Sequence, residues 1–227
     1  MNSNIMARLR GGLIVSCQAP EGTPLHGSHI MAAMARAAEI GGAVGIRADG
    51  PNDIRAIKQA VKLPVLGIYK IRYPDCEPYI TPTFEAAREI LAAGADIIAL
   101  DATLRPRLNG LTADELIRQV KALGVPVMAD ISTLEEGVAA AESGADIVAT
   151  TMSGYTPYSP KSDEPDYALI EGLVARVKVP VIAEGKIWTP EQARKALDLG
   201  AYAVVVGTAI TRPHVVTERF VRAMGNT

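Results

Sequence analysis

Two apolar patterns alternate along the chain. The first is a polar break, a proline, a short apolar run and a polar residue, as in "VKLPVLGIYK", "LGVPVMAD" and "VKVPVIAE". The second opens on Gly-Ala, as in "GADIIALD", "GADIVATT" and "GAYAVVVG". Each run is short, rich in Val and Ile, and lacks polar alternation. That is the pattern of a strand buried on both faces. Eight strands are expected, near positions 13–18, 43–48, 64–70, 96–102, 126–131, 146–151, 180–185 and 203–208. Between them lie helical patterns with start signals. "TADE" from Thr112 and "TLEE" from Thr133 are capping boxes, in which Thr accepts from a backbone N–H and Glu reaches back. "TPEQ" from Thr189 adds Pro190 at the first helical position. Gly94, Gly144 and Gly200 fall where a left-handed helix end wants glycine.

Strands that alternate with helices, eight times over, predict an α/β fold: a (β/α)8 TIM barrel formed as a single domain across residues 1–227. The rival is a doubly wound open sheet. The internal repeat and the lack of a G-x-G-x-x-G turn favour the barrel. Hydrophobic residues make up 48% of the chain and charged ones 21%, as in an ordinary globular protein. The net charge of −2 offers no basic surplus for nucleic acid. No apolar run approaches the roughly 18 residues that span a bilayer, so no membrane partner is expected. Two cysteines, Cys17 and Cys76, point to a reducing compartment, and a cytoplasmic protein is expected.

Barrel chemistry sits at the strand C-termini. There the chain places Gln18, Arg47, Lys70, Asp101, Asp130, Thr151, Glu184, and Gly207 with Thr208. Asp130 and Glu184 each lie four residues after a strand-opening proline, and Lys70 lies six after Pro64. Even offsets put all three side chains on one face. Lys70, Asp130 and Glu184 should therefore converge at the mouth with Gln18, and Lys70 should face Glu184. Gly185 and Gly207 end strands seven and eight, where barrels commonly bind phosphate, and Arg212 follows within reach of it. His26 and His29 read as surface histidines near a helix start. Cys17 should point away from Gln18 as an inert buried thiol. Asp101, Asp130 and Glu184 are joined by no strand-end histidine, so neither metal nor cofactor is expected.

The ordered set "LIVSCQA", "GGAVGIRA", "YPDCEPYITPT", "DIIALDAT", "MADIST", "IAEGKIWTPEQA" and "GTAITRP" resembles the N-acetylmannosamine-6-phosphate 2-epimerase family, from about Leu13 to Met224. The resemblance implies a (β/α)8 barrel that interconverts N-acetylmannosamine 6-phosphate and N-acetylglucosamine 6-phosphate in sialic acid catabolism. It implies Lys70 as acid/base and Glu184 as the catalytic glutamate. Gln18, Arg47 and Asp130 match contacts on the sugar and N-acetyl side, and the strand-eight loop with Arg212 matches the phosphate site. It also implies a homodimer. A lysine base needs a neutral fraction, which burial and Arg47 would supply and an ionised Glu184 would oppose. A protonated Glu184 resolves the conflict. The rivals are a Schiff-base lyase with Lys70 as nucleophile, and a silent sugar-phosphate-binding protein.

Overall fold

The computed structural model of the protein describes residues 3–225. Eight parallel strands close into a barrel in sequence order: β1 (Leu13–Cys17), β2 (Gly45–Asp49), β3 (Val65–Ile68), β4 (Ile97–Asp101), β5 (Val127–Asp130), β6 (Ile147–Ala149), β7 (Val181–Glu184) and β8 (Ala203–Val206). A helix precedes β1, and at least one helix follows each strand: α1 (Ser3–Leu9), α2 (Ser28–Ile40), α3 (Pro51–Ala60), α4 (Phe84–Ala92), α5 (Ala113–Lys121), α6 (Leu134–Glu142), α7 (Tyr167–Arg176), α8 (Pro190–Asp198), α9 (Thr208–Thr211) and α10 (Pro213–Ala223). All three expected capping boxes form, at Thr112, Thr133 and Thr189.

The strands are shorter than the apolar runs, for identifiable reasons. Pro64, Pro126 and Pro180 have no N–H to give a ladder. Their carbonyls still accept, from Ile46 at 2.9 Å, Ile98 at 3.0 Å and Val148 at 3.1 Å. At the other end, β3 stops at Ile68 and not at Lys70. The Tyr69 N–H donates to Thr81 Oγ1 at 3.1 Å, and Lys70 pairs with Ile80 in an antiparallel bridge. The chain thus trades the parallel ladder for a small hairpin inside the β3–α4 loop. β6 likewise stops at Ala149, and Thr150–Met152 tightens into a 3₁₀ turn.

Side chains alternate in and out along each strand. The inward set includes Ile14, Leu66, Ile97, Met128, Ile147 and Ile182, all fully buried. Burying each such side chain contributes about 1.5–3 kcal/mol. The bottom of the barrel is plugged by Leu9 of α1. A Cβ at Gly45 would lie 2.9 Å from Leu9 Cδ2, so glycine there makes room for the plug. α1 is also tied to the far end of the chain. The Tyr202 hydroxyl donates to the Met6 carbonyl at 2.8 Å, and the Gly11 N–H donates to the Tyr202 carbonyl at 2.7 Å. At the top, the apolar filling gives way to Arg47, Asp130 and Glu184, and to a cavity.

Candidate active site

The cavity at the C-terminal mouth has a volume of about 740 Å³. Gln18, Arg47, Lys70, Glu184, Gly185, Gly207, Thr208 and Arg212 all line it. Asp130 does not. It is fully buried beneath Arg47, where Arg47 Nη2 donates to Oδ2 at 2.5 Å and Nη1 to Oδ1 at 3.1 Å. Arg47 Nη1 also ion-pairs with Glu184. The Thr151 hydroxyl lies 2.8 Å from Asp130 Oδ1 and 3.0 Å from Glu184 Oε2.

This cluster has one cation against two carboxylates, all largely removed from water. One hydroxyl proton also faces two carboxylate oxygens and can serve only one of them at full strength. Both imbalances are relieved if one carboxyl carries a proton. Burial pushes Glu184 above the usual carboxylate range; Arg47 opposes this and Asp130 adds to it. Burial thus favours the neutral form of Glu184, and Glu184 reaches the cavity. Its backbone is fixed by Thr150, whose Oγ1 donates to the Glu184 carbonyl at 2.9 Å and accepts from the Glu184 N–H at 3.0 Å.

Lys70 arrives from the hairpin in the β3–α4 loop. Its own N–H donates to Asp49 Oδ1 at 2.9 Å, and Nζ donates to Gln18 Oε1. Gln18 is oriented in turn, because its Nε2 donates to Ser16 Oγ at 2.7 Å. Lys70 keeps a third of its side chain open to water (33%), and its nearest carboxylate is Asp49 at 3.9 Å. Its pKa falls below that of an ordinary lysine. Burial in the concave mouth is the main cause; Asp49 opposes, while Arg47 and Arg212 push further down. Lys70 and Glu184 therefore share the cavity, as the even-offset count expected, but each has its own partners: Gln18 and Asp49 for the lysine, Arg47 and Thr151 for the glutamate.

Asp49 was not among the expected residues. It stands two positions after Arg47, so the parity count used for Asp130 and Glu184 would have placed it on the inner face. Asp101 is fully buried away from the cavity, bound by Arg105 Nη2 at 2.5 Å and by Thr103. Among the described residues, no three His, Cys, Asp or Glu side chains cluster closely enough to hold a metal ion. His26 Nδ1 lies 3.2 Å from the Ala19 carbonyl. Cys17 is fully buried, and burial pushes its thiol up to about 12.

The phosphate-side expectation rests on Gly185, Gly207, Thr208 and Arg212. Gly185 has φ 112°, a conformation that glycine tolerates. Gly207 does not need positive φ. A Cβ there would sit 3.3 Å from Ser16 Cβ, so its role is close approach to β1. Thr211 Oγ1 donates to the Ser16 carbonyl at 2.9 Å, which ties α9 to the same strand. Arg212 closes this side of the cavity with no carboxylate within 4.0 Å among the described residues.

A family described as "Putative N-acetylmannosamine-6-phosphate epimerase" matches residues 31–226. A relative of that name from Caldanaerobacter subterraneus subsp. tengcongensis is 58% identical over 223 residues, 97% of this chain and 94% of its own length. One from Clostridioides difficile is 51% identical over 97% of this chain and 99% of its own. The solved N-acetylmannosamine-6-phosphate 2-epimerase from Clostridium perfringens superposes with a TM-score of 0.95 at 52% identity, covering 98% of this chain and 97% of that one. A thiamine phosphate pyrophosphorylase from Pyrococcus furiosus, at 18% identity and a TM-score of 0.58, shares the fold alone. The chain belongs to the N-acetylmannosamine-6-phosphate 2-epimerase family.

Proposed function

We propose that the chain is an isomerase that interconverts N-acetylmannosamine 6-phosphate and N-acetylglucosamine 6-phosphate by removing and returning the proton on C2. The observation that carries this reading is one cavity holding both halves of an enolisation device. One half is Lys70, with its pKa lowered towards a usable base. The other is Glu184, with its pKa raised towards a usable acid. In the ring-opened sugar, C2 is flanked by the C1 aldehyde. Neutral Lys70 takes the C2 proton as charge moves onto the C1 oxygen. Protonated Glu184 donates to that oxygen, and Arg47 supplies a fixed positive charge beside it. Inversion is completed when C2 of the planar intermediate takes a proton on its opposite face and the C1 hydroxyl gives its proton back. Gln18 holds the Lys70 ammonium from below. Asp130 acts through Arg47, fixing the guanidinium against Glu184. Gly185, Gly207, Thr208 and Arg212 hold the phosphate, with Arg212 forking onto two of its oxygens.

Product formed in heavy water is expected to carry deuterium at C2. An accessible ammonium rotates and exchanges its protons, so the returned proton is often a solvent one. Proton NMR of the sugar after many turnovers reads the result. Product holding only protium at C2 would count against free exchange and point to a shielded or different route. A borohydride-trapped adduct on Lys70 would favour the Schiff-base route.

Arg212→Ala is expected to raise KM about ten- to hundredfold, the equivalent of the roughly 1.5–3 kcal/mol carried by a hydrogen bond to a charged group. The fall in kcat should be smaller, because the phosphate is bound alike in ground and transition states. Unchanged KM and unchanged affinity for inorganic phosphate would remove Arg212 from the site.

The proposal extends to assembly and setting. α10 has no buried residue; it exposes Phe220 (67%) and Val221 (40%), and Met224 (73%) follows at its end. We read this apolar face as supporting a homodimer, testable by sedimentation. Both cysteines are free thiols, which supports a reducing cytoplasmic setting. Among the described residues, no helix is long and apolar enough to cross a membrane.

A further inference from the structure

The outer half of the cavity is lined by more positive charge than one phosphate seat requires: Lys186, Arg212, Arg219 and Arg222, against Asp163 and Glu218. Arg222 is spent locally, with Nη2 2.5 Å from Glu218 Oε1. Arg219 is not. Among the described residues it has no carboxylate within 4.0 Å. Its guanidinium lies over the Trp188 ring instead, 4.5 Å from the centroid. A stack of this kind fixes the side chain without cancelling its charge. Lys186 is treated in the same way: Nζ donates to the Ser162 carbonyl and sits 5.5 Å from the Tyr155 ring centroid. Arg219 and Lys186 are thus both parked on neutral groups.

Arg219 stands seven residues beyond Arg212, about 10 Å along α10 at helical rise. That is about one Debye length at 0.1 M salt. We propose that Arg219 is a steering residue for the anionic end of the substrate: it captures an approaching phosphate dianion at the rim and passes it inward to Arg212. This rests on the reading that the cavity takes a phosphorylated sugar. Arg219 is exposed and makes no hydrogen bond or ion pair with Lys70 or Glu184, so its effect belongs to the approach and not to the chemical step.

The test compares wild type, Arg219→Gln and Arg219→Lys with N-acetylmannosamine 6-phosphate, from about 0.01 M to about 0.5 M salt. Charged clefts speed capture by about 10–10³ overall, so losing one of three uncompensated rim charges should lower kcat/KM about two- to fivefold at low salt. In Arg219→Gln, kcat should stay unchanged and the gap in kcat/KM should close as salt rises. Arg219→Lys should recover most of the loss, because it restores the charge without the planar stack. A loss of equal size at all salt concentrations that lysine does not recover would make the Trp188 stack merely structural and overturn the proposal, as would no loss at all. A wild type that fails to turn the sugar phosphate over would sink the epimerase reading, and the steering role with it.

Discussion

Replacing Lys70 by methionine is expected to lower kcat by at least about a hundredfold, the lower range for losing a general acid/base, while the barrel stays folded. Methionine keeps the unbranched stem and removes only the ammonium. That stem ends at a mouth where a third of the lysine side chain already meets water, so no cavity opens in the core. The one hydrogen bond lost is to Gln18 Oε1, which remains near solvent. Stability should therefore change by no more than about 0.5 kcal/mol, as for other surface changes. Turnover has no comparable reserve. The other groups lining that part of the cavity are Gln18, an amide too weakly basic to take a proton from carbon, and Glu184, whose pKa is raised by burial and which in the proposed mechanism donates a proton rather than accepting one. Deuterium uptake at C2 should fall in parallel with kcat, since both need the same base. Steady-state kinetics, NMR exchange and urea unfolding on one preparation check all three expectations. Near-normal activity would take Lys70 out of the mechanism.

Arg47→Met is expected to act on the fold as well as on turnover. Arg47 is 1% exposed and bonds to two carboxylates on two other strands. Removing one partner of a buried ion pair costs about 3–5 kcal/mol, because it strands the opposite charge. Here it strands Asp130 and Glu184, which both lie within 3.0 Å of the single Thr151 hydroxyl. Two carboxylates that share a site cannot both ionise cheaply, so the pair should bind a proton more tightly in the folded variant than in the unfolded chain. A folded pKa raised above the unfolded value stabilises at low pH, and that stability is lost as pH rises through the folded pKa. The variant should thus be most crippled in mildly alkaline buffer and should regain part of the deficit towards about pH 5. Urea unfolding of wild type and variant across that range gives the gap directly. A gap that ignores pH would mean the carboxylates relax into water, and the buried charge balance would not be what holds this end of the barrel.

The inner face of the mouth was legible because strand alternation is a local rule. Counting by twos from Pro126 and Pro180 placed Asp130 and Glu184 inward, with no knowledge of the rest of the fold. The same rule would have found Asp49. Depth was not legible. Asp130 and Glu184 share parity and strand position, yet one is sealed and the other reaches the cavity. The difference is made by Arg47, whose side chain crosses from β2 to β5 and β7. Lys70 reaches the cavity by a route that strand alternation does not describe: the strand ends at Ile68, and the lysine is aimed by its bridge to Ile80. The Trp188–Arg219 stack joins a loop to a helix 31 residues later and leaves no periodic trace. α1 is only seven residues, and its anchor at Tyr202 lies 196 positions from Met6.

That last separation has a consequence for how the protein is made. The barrel closes only when β8 meets β1, with Leu13 beside Val204, and the plug at its base is held by Tyr202. A ribosome adds about 5–20 residues per second, so the first strand waits roughly ten to forty seconds for its last neighbour. Throughout that interval the nascent chain displays the unpaired backbone of "LIVSC", an edge able to recruit foreign strands. The yield of this protein in a cell should therefore depend on what shields β1 during translation, and changes to β1 or α1 should alter soluble yield more than they alter the melting of the finished barrel.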